Sequence, residues 1–247
     1  MRAALEAVDL CKNFKGLAAV SSVSLKCSVG NLHAVIGPNG AGKSTLINLL
    51  SGSLPCDAGK MFIDGHDVTR LNMSQMSLRG LGRSFQRTNI FGSLTVLENC
   101  EVAAQSRFGI SNQMFRSTKK YTEVTKLSES VIEKVGLGNT KQRIADELSH
   151  GEQRQLEIAL TLATKPKVLL LDEPLAGMGL EEAKQIINLL RDLRQDYAIV
   201  LVEHDMNAVF ALADTLTVMV DGEVIASGSP DLIKNDRRVR LAYLGEE

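Results

Sequence analysis

The chain has 247 residues, with 28 Lys plus Arg against 29 Asp plus Glu and a formal net charge of −1. That length suits one or two compact lobes with a full apolar core, and the balanced charge supplies no overall basic field to gather nucleic acid. Cys11, Cys27, Cys56 and Cys100 lack C-x-x-C spacing, so the sequence indicates neither a zinc knuckle nor a redox pair, and reduced thiols in a cytosolic protein are expected.

In chain order, Glu6 and Asp9 interrupt the apolar core that a signal peptide needs. Val23, Leu25, Cys27 and Val29 alternate with serines and Lys26, which predicts a half-buried strand. Gly30-Asn31 turns the chain into an apolar strand over Leu32–Ile36, and a glycine-rich stretch comes directly after it. Leu46, Leu49 and Leu50 then begin a helix, and Met61–Ile63 with Asp64-Gly65 reads as a short strand and turn. From about Leu94 to Leu148 strand signals vanish, and Leu127, Val131, Ile132 and Val135 keep helical spacing. This segment is expected to be a helical lobe inserted into the first.

Leu156, Ala159, Leu160 and Ala163 mark a helix that Lys165-Pro166 ends. Val168–Leu171 is wholly apolar, as in a buried parallel strand, yet like every other apolar run it is far short of the ~20 residues that span a bilayer. Ala183, Ile186, Ile187 and Leu190 share a helix face, Ala198–Val202 is a second buried strand, and Met206, Val209, Phe210 and Ala213 share another helix face. Leu216–Val220, Asp221-Gly222 and Glu223–Ala226 predict a hairpin.

The stretch Gly37-Pro38-Asn39-Gly40-Ala41-Gly42-Lys43-Ser44, continuing into Thr45, matches G-x-x-x-x-G-K-[ST] between a strand and a helix. Such a turn aims several backbone N–H groups at one point, and the helix dipole adds to the field there. Lys43 can reach the β- and γ-phosphates, and Ser44 can ligate Mg²⁺. No N-K-x-D element for guanine is present, so ATP is favoured. Phe14 lies about one strand pair upstream and either stacks on adenine or fills the core.

Two acids, Asp172 and Glu173, come after the strand Val168–Leu171, at the sheet edge where ligands of open α/β sheets bind. Asp172 can hold Mg²⁺, and Glu173 can orient or deprotonate an attacking water. His204, after Ala198–Val202, reaches the same edge and can donate to a γ-phosphate, while His33, His66 and His150 are read as ordinary histidines. Leu148-Ser149-His150-Gly151-Glu152-Gln153 is a capping box, with Ser149 as N-cap and Glu152 at N3. It also makes a second glycine-bearing helix N-terminus, an anion site without its own lysine. Two such ends in one chain suggest ATP held between two copies.

Taken in order, GPNGAGKST, LSHGEQRQLEIA, VLLLDEP and LVEHD resemble the ATPase subunit of an ABC transporter along essentially the whole chain. The resemblance implies a P-loop α/β core with a mostly parallel sheet, an antiparallel β subdomain and an inserted helical subdomain. The core would take about residues 1–93 and 154–247, and the helical subdomain about 94–153. It implies that Gln86, in GRSFQRTNIF, reaches Mg²⁺ and the membrane-partner contact. Ser149 and Gly151 would bind the opposite subunit's γ-phosphate, Glu173 would be the general base, His204 the switch histidine and Phe14 the adenine platform.

GRSFQ, FGSLTVLEN, DEPLAGM, VEHDM and the closing AYLG are similar to branched-chain amino acid importers, and urea importers share much of that pattern. The implied partners are permease subunits, a second ATPase copy or a related one, and indirectly an extracytoplasmic solute-binding protein. The implied location is peripheral, on the cytoplasmic face of the inner membrane, with no nucleic acid bound. Glu152 stands where many relatives carry Gln, a poor neighbour for ATP unless it turns back to cap its own helix. Gly179 stands where the wider family has Asp. Two other readings remain. A soluble ABC ATPase acting on DNA or ribosomes usually carries tandem nucleotide domains or long coiled coils, neither of which is visible. A nucleotide sensor without turnover would result if Glu152 or Gly179 prevented closure.

Overall fold

A computed structural model describes residues 2–85, 89–108 and 118–244. The chain begins with β1 (Leu5–Phe14), β2 (Leu17–Cys27), β3 (Leu32–Ile36), α1 (Lys43–Leu50), β4 (Ala58–Ile63), β5 (His66–Asp67), α2 (Met73–Leu78) and β6 (Leu81–Arg83). Then come α3 (Val96–Phe108), α4 (Thr118–Lys134), α5 (His150–Ala163), β7 (Val168–Asp172), α6 (Leu180–Leu193) and β8 (Ala198–Val202). The last described elements are α7 (Met206–Leu212), β9 (Thr215–Val220), β10 (Glu223–Gly228), α8 (Pro230–Asn235) and α9 (Arg237–Leu244). The chain forms two compact units: Met1–Arg83 with Lys167–Glu173 and Leu190–Glu247, and Ser84–Pro166 with Pro174–Leu189.

The first unit carries both sheets. One is antiparallel in the order β2-β1-β4-β5; the other runs β10-β9-β3-β8-β7-β6 and is parallel except for its closing β9–β10 hairpin. Every residue of β3, β7 and β8 is buried, as their apolar runs predict for strands covered on both faces. Three two-residue turns have positive φ at both positions: Lys15-Gly16, Asp64-Gly65 and Asp221-Gly222. That backbone matches the strand twist and favours Gly second. Strand β2 ends at Cys27, so Val29, read as its last apolar position, lies outside and is exposed. The second unit is helical, with α3, α4 and α5 packed on one another. Among the described residues no helix is long and apolar enough to cross a membrane.

Burial decides the chemistry of several side chains. The thiols of Cys27 and Cys100 are pushed up to about 12, chiefly by desolvation. His33, on β3, places Nδ1 3.0 Å from the Lys26 carbonyl and Nε2 2.8 Å from Thr217 Oγ1. A carbonyl only accepts, so Nδ1 carries a proton. Burial holds the ring pKa below the usual 6.5, which favours the neutral form, with Nε2 accepting from the hydroxyl.

The unfolded chain therefore takes up the His33 proton first, and stability from this group is lost as pH falls below about 6.5. An NMR titration of the His33 ring is expected to give a midpoint below 6.5, and a midpoint at or above 6.5 would contradict the assignment. At about pH 8, alkylation followed by mass spectrometry should modify Cys11 and Cys56 well before Cys27 and Cys100, because the thiolate is the reactive form.

Candidate functional site

Register places the site. Val35 of β3 pairs with Val202 of β8, and Val202 pairs with Asp172 of β7. Three adjacent parallel strands thus end level, and the segments leaving them share one edge: the glycine loop after Ile36, Glu203-His204 after Val202, and Glu173 after Asp172.

The loop is shaped by the backbone packed against it. A Cβ on Gly37 would stand 2.3 Å from the Met219 carbonyl oxygen, and one on Gly42 would stand 2.2 Å from that of Ala19. Gly42 also caps α1 with a φ of 97°, so a side chain there is excluded twice, by space and by backbone. Lys43 is 8 % exposed, and its ammonium donates to the carbonyls of Gly37 at 2.7 Å and Pro38 at 3.0 Å. Burial lowers its pKa, while the carboxylates of Glu173 and Asp172 oppose that shift. Pro38 is half-buried, Asn39, Gly40 and Ser44 are exposed, Ala41 is buried and Thr45 is half-buried. The return strand β2 backs the loop through Ala19, and Phe14, paired with Leu17 at the tip of that hairpin, is 43 % exposed. Lys12 Nζ stands 5.8 Å from the centre of its ring.

Asp172 is buried, with the Arg83 guanidinium 3.6 Å away at the end of β6. Arg83 also donates to Ser51 Oγ at 2.7 Å. Glu173 extends the ladder by one bond, its N–H donating to the Val202 carbonyl at 2.8 Å, and then takes a φ of 48°. His204 is exposed; its Nδ1 lies 3.8 Å from Glu173 Oε1 and 3.7 Å from Glu203 Oε2, beyond hydrogen-bond reach. Glu203 itself is buried and accepts the His204 N–H at 3.0 Å. Among the described residues this edge brings together Lys43, Asp172, Glu173 and His204: a cation, a buried acid, a half-buried acid and an imidazole. Gln86 lies outside the described residues.

The second unit holds the other predicted turn. Ser149 caps α5, its Oγ accepting the Glu152 N–H at 3.2 Å while Glu152 Oε2 accepts the Ser149 N–H at 2.8 Å. Arg143 stands 3.4 Å from the second Glu152 oxygen. The carboxylate thus turns back onto its own helix. A partner not read from sequence is Glu182 of α6. Its carboxylate accepts the Gly151 N–H at 3.0 Å and the Gly179 N–H at 3.3 Å, and the Gly151 bond leads the causes that lower its pKa. Sequence reasoning also missed Arg83 and Glu203. An arginine in a short strand beside a parallel sheet, and G-x-x-E at Gly179–Glu182, were the available signals.

A parallel sheet, a glycine loop closing on a helix, and an acid-bearing strand end define a P-loop nucleoside triphosphatase fold. The model of the family "ABC transporter" matches residues 20–176, and that of "Branched-chain amino acid ATP-binding cassette transporter" matches residues 223–247. The high-affinity branched-chain amino acid transport ATP-binding protein LivG of Escherichia coli K12 is 35 % identical over 96 % of each chain. The lipopolysaccharide export system ATP-binding protein LptB of the same strain is 33 % identical over 99 % of this chain and 98 % of its own. Among solved structures, the ADP conformation of MJ1267, an ATP-binding cassette of an ABC transporter, superposes with a TM-score of 0.86 at 28 % identity, covering 100 % of both chains. The chain belongs to the ATP-binding proteins of ABC transporters, which bind nucleotide and hydrolyse ATP to power transport.

The hydrogen bond that Glu152 accepts from the Ser149 N–H is worth about 1 kcal/mol net. Glu152→Ala should therefore lower stability by roughly that amount in denaturant titrations, while Glu152→Gln should hold it, since the amide oxygen can still accept the Ser149 N–H.

Proposed function

We propose that this chain is the ATPase subunit of an importer for branched-chain amino acids. The observation that carries the reading is the match of residues 223–247 to the branched-chain family segment, on a chain 35 % identical to LivG end to end. The likeness to LptB favours a second reading, a subunit that powers export of a lipid-linked substrate. A urea importer is the alternative raised by the motifs themselves.

In this reading the loop N–H groups and Lys43 hold the β- and γ-phosphates, and Phe14 stacks on adenine. Ser44 and Asp172 would hold Mg²⁺, and Gln86 would reach it. Mg²⁺ beside a nucleotide takes only one or two carboxylates, because phosphates and water fill its other positions, and a single buried acid with an exposed serine hydroxyl on the same sheet edge fits that. When bound it would neutralise phosphate charge. Glu173 takes the proton of the attacking water, at the half-buried strand end where it stands. His204 donates to the γ-phosphate. Ser149 and Gly151 of a second ATPase subunit close over the same nucleotide, and permease subunits at the cytoplasmic membrane face receive the motion.

A positioned base contributes typically 10²–10⁴-fold, so Glu173→Gln should bind ATP normally and turn over at least about 100-fold more slowly. Wild-type turnover in that variant would remove the base. Reconstitution with co-purifying permease subunits and binding protein separates the substrate readings: leucine, isoleucine or valine should stimulate hydrolysis, whereas stimulation by urea or by a lipopolysaccharide acceptor would replace the proposal.

A further inference from the structure

Two charges of α5 sit where charge is costly. Arg154 and Glu157 are each 3 % exposed and form an ion pair one helical turn apart. Desolvation of such a pair commonly outweighs its mutual attraction, and hydrophobic replacements are often neutral for folding. What the pair holds is backbone. The Glu157 carboxylate accepts the Phe85 N–H at 2.9 Å. Arg154 donates to the Phe85 carbonyl at 2.9 Å through Nη1 and to the Pro174 carbonyl at 3.1 Å through Nε.

Both polar backbone groups of Phe85 are therefore partnered by side chains of one helix. Phe85 is the residue before Gln86, and Pro174 the residue after Glu173. Arg154, Glu157, Phe85 and Pro174 all lie in the helical unit, and Phe85 and Pro174 adjoin two of the four points where the chain passes between units, Arg83/Ser84 and Glu173/Pro174. The helix so anchored is the one that Ser149 caps. Burial raises the Glu157 pKa and Arg154 pulls it back.

We propose that Arg154 and Glu157 are positioning residues for ATP hydrolysis, tying the helix that begins at Ser149 to the backbone beside both Gln86 and Glu173. The proposal rests on the roles given above to those two residues. The pair touches no substrate. It holds the main chain at Phe85, directly before the glutamine, and at Pro174, directly after the base, on one helix. A misplacement of about 1 Å costs on the order of 10²-fold in rate, which bonds of this kind can govern without touching nucleotide affinity.

The test is a double variant, Arg154→Met with Glu157→Leu, which removes both charges at similar volume. The full chain should stay folded, with a thermal midpoint lowered by the backbone bonds lost, and should keep its affinity for a fluorescent ATP analogue, while kcat falls about 10- to 100-fold. Arg154→Lys keeps the charge but loses the fork that reaches two carbonyls at once; it should give an intermediate kcat at unchanged KM. Wild-type kcat in the double variant, or a rate loss that tracks lost folded protein, overturns the proposal. Should the double variant fail to fold, Arg154→Lys decides alone: a reduced kcat with intact folding supports the proposal and an unchanged kcat overturns it. Glu173→Gln in the same assay separates the two levels. If it is inactive beside a fully active double variant, only the positioning role falls; if it turns over normally, the base assignment falls and takes the positioning role with it.

Discussion

The level ending of β3, β8 and β7 is the constraint on which the site depends. Val35, Val202 and Asp172 stand in one row across the sheet, so a loop, an imidazole and two acids emerge side by side although more than 160 residues of chain separate the first from the last. Burial enforces the row. All fifteen residues of these three strands are buried, and each fully buried Val, Leu or Ile is worth roughly 1.5–3 kcal/mol. A slip by one residue would reverse every side chain and draw Asp172 into the apolar layer. The polar chemistry begins where the apolar run stops, because that is where water and ligand can enter.

Most of this was legible because apolar runs and glycine turns act locally. The strands over Leu32–Ile36 and Ala198–Val202, the Asp221-Gly222 hairpin and the Ser149 cap lie where the sequence puts them, and the strand expected over Val168–Leu171 runs one residue further, to Asp172. Strand β1 was not legible. Its pairing with β2 shifts register between Ala7 and Leu10, between Leu10 and Lys12 and between Lys12 and Asn13, and Asp9 has a positive φ, so no clean alternation survives. Nor were the long-range polar partners. Arg83, Glu157 and Glu182 look in sequence like solvated charges; the contacts that define them reach Asp172, Phe85 and Gly151, at separations no periodicity reports.

The helical unit places two carboxylates, Glu152 and Glu182, at the turn that begins α5, and both are turned onto backbone N–H groups. Glu152 is turned back against Ser149 and Arg143, so its charge is spent on the helix that carries it. The second unusual residue, Gly179, has no side chain to cap α6, and its N–H is met instead by Glu182. The same carboxylate holds Gly151, joining two turns that are about thirty residues apart in sequence. Both departures from the wider family pattern thus have a local hydrogen-bonded account.

Glu173 sits in the left-handed region with a φ of 48°, a conformation that costs a side-chain-bearing residue of order 1–3 kcal/mol and glycine almost nothing. The residue assigned to the water's proton is thus also a local weak point of the backbone. In the base role proposed for Glu173, two opposed pressures meet at a single Cα: sturdiness draws it toward glycine or asparagine, turnover toward a carboxylate. A lineage released from the need to hydrolyse ATP would drift here early, and a hardened protein bred for heat tolerance alone would tend to emerge silent.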